Sequence, residues 1–293
     1  MDFSIFYSVL SLLPTCLLAG VVWLWRWLED TRGLRAPISE KLLRPAGESA
    51  RKKTVELDEK IETVLLWVFG LPTALFTSYL ISTRHVVTPP RPVLPIYISV
   101  AVLIYLFLTV RLLRLMKERG NWRLGFSGER AVGEELNQLL PCGYHVFHDF
   151  PLAENWNIDH IVVGPAGVFA LETKAKRKGR HAKNQLAHEV IYDGKMLQFP
   201  GYCDAKLLAQ AKSQAERLST FLNSAVGTPV AVKPILTFPG WYVRYTSREV
   251  MNTVMNPKML KSAIVGDEAP ALSTELIRQI VHQLDQKCRD VEF

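Results

Sequence analysis

The sequence predicts an α/β domain, a mixed sheet flanked by helices, preceded by three transmembrane helices. Three observations lead there. Uncharged apolar runs occupy residues 3–25, 63–83 and 92–110, of 23, 21 and 19 residues. Beyond residue 116, short β-branched segments and amphipathic helical ones follow in mixed order. Two of the β-branched segments are joined by Gly164-Pro165-Ala166-Gly167, a strong hairpin signal.

At about 1.5 Å per residue, each apolar run can cross a hydrocarbon core of about 30 Å. The runs explain why 48% of the chain is hydrophobic and why its mean hydropathy reaches +0.09. Asp2 is the only charge before the first run, so that run lacks the basic n-region of a signal peptide and reads as a retained anchor. Flanking charge sets the orientation. Segment 26–62 carries nine Lys or Arg, the loop 84–91 carries two, and residues 111–130 carry six. The positive-inside rule places 26–62 and everything after 111 in the cytoplasm, with the N-terminus outside. The predicted division is therefore a membrane region at 1–116 and a cytoplasmic domain at 117–293. The loop 26–62 is predicted to be partly helical toward 51–61 and to lie near the membrane surface.

Within 117–293, Ser127 precedes apolar residues Val132, Leu136, Leu139 and Leu140, which predicts a capped amphipathic helix over 127–140. A strand follows from Tyr144 to Phe150. Asn157–Gly164 and Gly167–Thr173 form the main hairpin. A weaker one runs through Val190–Tyr192, Asp193-Gly194 and Lys195–Phe199. Residues 204–223 recur at helical period, Val230–Phe238 is an apolar strand whose Pro234 suits an edge or bulge, and a helix closes the domain over about 272–289.

Composition narrows the function classes. The formal net charge of +7 divides into +4 for residues 1–116 (13 basic, 9 acidic) and +3 for 117–293 (22 basic, 19 acidic). A nucleic-acid signal must therefore come from local clustering. Cys142, Cys203 and Cys288 are isolated, with no C-x-x-C spacing, so neither a disulfide framework nor a cysteine zinc site is indicated. His145 and His148, three apart on a strand, face opposite sides and make a poor zinc pair. No glycine-rich phosphate loop occurs, which argues against an energy-coupled helicase. The apolar runs hold no internal charge of the kind that marks a transport pathway.

The chemistry-bearing residues sit on the main hairpin. If its loop is centred between Pro165 and Ala166, paired positions sum to 331, and Asp159 falls opposite Glu172 while Lys174 shares the face of Glu172. Two adjacent carboxylates repel, and a hard divalent cation relieves that repulsion. By spacing alone, the same residues also suit an ordinary strand end with exposed charges. Just beyond, Lys174, Lys176, Arg177, Lys178, Arg180 and Lys183 place six basic residues within ten, either a solvated loop or a phosphate-contact loop.

Several stretches together carry a resemblance. They are Gly128-Glu129-Arg130-Ala131-Val132, then Asn157-Ile158-Asp159-His160 through Gly164-Pro165-Ala166-Gly167-Val168-Phe169, Glu172-Thr173-Lys174, Gln210-Ala211, and Leu236-Thr237-Phe238-Pro239-Gly240. Residues 128–240 resemble the nuclease-related domain (NERD), itself similar to the PD-(D/E)xK restriction-endonuclease superfamily. The resemblance implies a restriction-endonuclease-like sheet. It also implies Mg2+ or Mn2+ held by Asp159, Glu172 and the Thr173 carbonyl, with Lys174 as catalytic lysine. Glu129 would be a helix-borne acidic partner and Gln210 an accessory polar residue. Two positions depart from the pattern: Ile158 precedes the aspartate, and Lys206-Leu207 replaces an expected Asn-Pro before Gln210. The expectation is a multi-pass protein of the bacterial inner membrane whose cytoplasmic domain hydrolyses phosphodiester bonds in nucleic acid, DNA in the first instance. The partners would be nucleic acid and the lipid bilayer. Two alternatives stand beside it: a catalytically inactive DNA-binding or DNA-processing module tethered to the membrane, and a membrane sensor or interaction protein.

Overall fold

The computed structural model describes residues 17, 20–29, 31, 40–83, 93–153, 156–178, 188–246, 253–267 and 271–291. They fall into two compact units: Lys60–Arg114 with the described residues up to Glu40, and Lys41–Glu59 with Leu115–Glu292.

The first unit is helical. Residues 20–29 form a helical stretch (α1), and most of the first apolar run, residues 3–16, 18 and 19, lies outside the described residues. The other two runs fall within α2 (Glu48–Thr83) and α3 (Val93–Leu136). These two helices, not three, are long and apolar enough to cross a membrane among the described residues. Leu66, Phe69, Leu103 and Phe107 are all more than 60% exposed, so neither helix hides its long apolar run in a protein core. The two meet where the Tyr79 and Tyr97 rings pack edge-on, 5.7 Å apart. The loop 84–91 lies outside the described residues.

In the second unit, α3 runs unbroken to Leu136 and passes into a 3-10 turn at Asn137–Cys142. The expected helix start at Ser127 is therefore absent. No proline interrupts residues 111–136, and Ser127 Oγ donates to the Arg123 carbonyl, 2.9 Å away, as a mid-helix serine does. The strands are β1 (Leu42–Leu43), β2 (His145–Ala153), β3 (Trp156–Gly164), β4 (Gly167–Thr173), β5 (Glu189–Tyr192), β6 (Leu197–Phe199), β7 (Tyr202–Asp204), β8 (Val232–Thr237), β9 (Tyr242–Tyr245), β10 (Val254–Met255) and β11 (Arg289–Val291). The remaining helices are α4 (Lys206–Val226), α5 (Leu260–Val265) and α6 (Thr274–Cys288).

The main sheet is mixed, in the order β10-β8-β4-β3-β2, antiparallel across β2–β3–β4 and parallel across β4–β8–β10. β10 pairs only with Leu236 and Thr237 of β8, so Pro234 is paired on the β4 side alone and sits locally at an edge, as its missing N–H requires. One face packs Ile161, Val163, Val168 and Ala170 against Leu218 and Leu222 of α4 and Ile280 and Leu284 of α6. The other packs Val162, Phe169 and Leu171 against Val132 and Leu136 of α3 and Leu260 and Ile264 of α5. That alternation follows from period-two side chains on strands buried on both faces. A smaller sheet, β7-β6-β5-β9, contains the expected second hairpin.

The segment 41–59, predicted to belong to the membrane region, packs with 115–292. β1 pairs with β11, and Arg44 bonds Asp290 and the buried Asp149, whose Oδ2 also accepts from Ser49 N (3.1 Å) and Oγ (2.7 Å). Gly47 (φ 79°) turns the chain into α2 so close to α3 that a Cβ there would meet Phe126 at 2.7 Å.

Candidate active site

The β3–β4 register is the one predicted: Gly164 pairs with Gly167 and His160 with Leu171, each sum being 331. The ladder ends there, one pair before Asp159 and Glu172. Thr173 N–H donates instead to Asp159 Oδ2 at 2.7 Å, so a side chain takes the place of the next rung. On the other flank, Phe147 and Phe150, and likewise Ile158 and Ile161, lie in one core cluster although three residues apart. Period-two alternation breaks at Asp149, the one described non-glycine residue with a left-handed backbone (φ 50°). The break brings Asp149 to Arg44 and Ser49 and Asp159 within electrostatic reach of Glu129 on α3.

Around this splayed end, four elements contribute. α3 supplies Glu129, and Gly128 beside it allows the approach, since a Cβ there would lie 2.6 Å from that of Ala175. β3 supplies Asp159. The end of β4 supplies Glu172 and, two residues on along the same face, Lys174, which is ion-paired with Glu172 Oε1. α4 supplies Gln210, donating to Glu172 Oε1 at 2.7 Å, and Gln214, donating to Glu172 Oε2 at 2.5 Å and to the Asn157 carbonyl at 3.3 Å. Gln214 escaped the sequence reading, although it lies one helical turn beyond Gln210 and so on the same face. Asp149 escaped it too, and no local pattern marks it.

Burial and mutual repulsion dominate the electrostatics. Burial, followed by repulsion from Glu172 and Glu129, pushes Asp159 well above the usual carboxylate range. Glu129 is pushed up to about 8, first by burial and then by Asp149 and Glu172. Burial works against the Lys174 ammonium, but Glu172 outweighs it and holds the lysine above its ordinary value. The carboxylates thus hold more negative charge than one lysine offsets, and two of them favour the proton instead. Glu129 Oε2 and Thr173 Oγ1 are buried without a hydrogen-bond partner. Among the described residues, no three His, Cys, Asp or Glu side chains converge as a closed metal site. The donor chemistry nevertheless fits a hard cation. It consists of carboxylate oxygens with an orphaned Oε2, and Glu172 has about one lone-pair site left after accepting from Gln210, Gln214 and Lys174.

The basic run is dispersed. Lys176 Nζ lies 4.5 Å from the Phe199 ring centre, 3.1 Å from Tyr202 Oη and 3.6 Å from Asp204, so it packs on the small sheet. Arg177 donates to the Gly120 carbonyl at 3.2 Å. Lys178 is exposed, and Arg180 and Lys183 lie outside the described residues. His148 pairs with His160 across β2–β3, Nδ1 to Nδ1 at 2.8 Å, and burial pushes His148 down to about 4 and His160 well below its ordinary value. Both are neutral at pH 7, and their hydrogen bond requires one ring to donate and the other to accept.

Residues 124–239 match the family described as the nuclease-related domain, NERD. A protein of Bacillus anthracis described as uncharacterized is 37% identical over 81 residues, 26% of this chain and 35% of that protein. The chain thus spans about a third of the curated relative it matches. No solved structure matches the chain.

Proposed function

From the match of residues 124–239 to the nuclease-related domain, we propose that this chain is a divalent-metal-dependent nuclease of the PD-(D/E)xK type, held at the inner face of a bacterial membrane. One observation carries the chemistry: Glu129, Asp159 and Glu172 crowd together with Lys174 where β3 and β4 splay, and two of the three are driven toward their neutral forms, by burial first and then by neighbouring carboxylates. Asp159, Glu172 and the Thr173 carbonyl would hold the cation, with Glu129 beside them. A cation so placed supplies a Lewis acid that polarises the phosphoryl oxygen and lowers the pKa of water. Gln210 and Gln214 hold the Glu172 carboxylate in one orientation. Lys174 sits where its ammonium can orient a water or offset charge developing on the phosphate. Burial excludes bulk water and strengthens each of these interactions.

The membrane reading rests on α2 and α3, whose apolar runs are almost wholly exposed, and on the basic residues that flank them. A second reading, a module that binds nucleic acid without cutting it, is favoured by the direct Lys174–Glu172 ion pair, which engages the lysine with its own neighbour.

The full chain in detergent, incubated with Mg2+ or Mn2+ and DNA or RNA, tests both. Glu172→Gln removes a charge and keeps the shape, so metal binding and cleavage should both fall. Lys174→Met removes a positive charge beside the cation, so metal binding should persist or tighten while cleavage is lost. Metal and nucleic-acid binding without any cleavage by the wild type would favour the second reading, and a wild type that binds no metal would refute the site.

A further inference from the structure

The carboxylates are reached through a cleft of about 880 Å³, whose walls include Lys53 of α2, Trp122 of α3, Trp156 at the start of β3 and Gln210 of α4. At its floor, Asp159 and Glu172 are only 8% and 2% exposed. A phosphodiester has to descend into the cleft to meet them, and a stacked duplex keeps its bases inside the double helix, away from the cleft walls. A single strand bends a phosphate inward and splays its bases aside.

The walls suit those splayed bases. Trp122 is 40% exposed although it lines the cleft. Trp156 carries the exposed Arg217 guanidinium 3.9 Å above its ring centre. An indole offers any base a stacking face, and a guanidinium parked on an indole presents positive charge to a passing phosphate without burying it.

We propose that the cleft takes single-stranded nucleic acid, including frayed ends, with bases stacked on Trp122 and Trp156 and a phosphate near Arg217. This rests on the nuclease reading of the same site and specifies its substrate. The test uses the full chain in detergent, with Ca2+ replacing Mg2+ to suppress cleavage, and fluorescein-labelled oligo-dT, oligo-U and a duplex of the same length. Anisotropy should show single strands bound at least about tenfold more tightly than duplex. Trp122→Ala and Trp156→Ala should each weaken single-strand binding by about 5- to 150-fold, the range for loss of one base stack, with duplex binding unchanged and Trp122→Phe restoring most of the loss. Arg217→Gln should reduce the salt dependence of single-strand binding. If either alanine variant fails to fold, the wild-type ratio and the phenylalanine variant decide. Duplex bound as tightly as single strand, or tryptophan variants that bind like wild type, would overturn the proposal and leave the nuclease reading standing. If neither strand form is bound, and none is cut with Mg2+ or Mn2+, both fall.

Discussion

Glu129 is the residue on which the electrostatic account can be tested most directly. Its carboxyl, ordinarily near 4.5, is pushed up to about 8, by burial first and then by Asp149 and Glu172. Between pH 4.5 and 8 the folded, metal-free protein therefore keeps a proton that the unfolded chain releases. Stability must fall as pH rises through that window and level off above 8. The rise from 4.5 to about 8, at about 1.36 kcal/mol per pH unit, sets a ceiling of about 5 kcal/mol. For a unit of this size that corresponds to about 10–20 °C in Tm. Glu129→Gln cannot ionise, so it should melt close to wild type at pH 5 and well above it at pH 9. Asp149→Asn removes the second cause and should move the upper edge of the window below 8. Thermal melts of chelator-treated protein at one-unit pH steps would show this. Adding Mg2+ at pH 7 should displace the proton, releasing about 0.9 per site for a group with pKa 8, measurable by calorimetry in buffers of different ionisation enthalpy. Wild type and Glu129→Gln curves that run parallel from pH 5 to 9 would refute the reasoning, because Glu129 would then be ionised throughout.

Arg44→Ala strips a partner from Asp149, which is fully buried, and should cost about 3–5 kcal/mol in thermal or denaturant unfolding, with part of the loss recovered in the Arg44→Ala/Asp149→Asn double variant. If Lys176, Arg177, Lys178 and Arg180 contact phosphates, neutralising all four should flatten the slope of log affinity against log salt by up to about 0.9 per lost contact on duplex DNA. The packing of Lys176 on Phe199 and Tyr202 predicts that Lys176→Ala also lowers Tm, whatever the salt slope does. A reporter active only outside the cytoplasm should be silent when fused after Phe293 and active when inserted near Pro89; the reverse pattern would overturn the orientation read from charge.

Local patterns were enough for much of this. The Gly164–Gly167 turn and alternating β-branched residues determined the hairpin and its register, and with them that Glu172 and Lys174 share a face. Uninterrupted apolar runs marked α2 and α3, because crossing a bilayer is a question of length and charge along one segment. Helical spacing placed Gln210 on α4. What the pattern missed was non-local. The continuity of α3 through Ser127 depends on the absence of any competing cap or break, and a serine that reads as a start in isolation back-bonds within a helix already nucleated upstream.

The amino-acid sequence by itself determined which residues carry charge, where the main hairpin and the helices α4 and α6 fall, and which hairpin faces coincide, since each is decided within a dozen neighbouring positions. Only the tertiary structure decided how those charges behave. Asp149 is drawn into the site by a left-handed backbone position and by Arg44 and Ser49, about a hundred residues away in sequence. The segment 41–59 joins the second unit because β1 finds its partner in β11, some 250 residues on, in a two-stranded sheet of their own. The pKa of Glu129 rises to about 8 because folding takes it out of water and sets it beside carboxylates from β2 and β4. Desolvation and charge–charge repulsion depend on distance in space, and no reading along the chain supplies that distance.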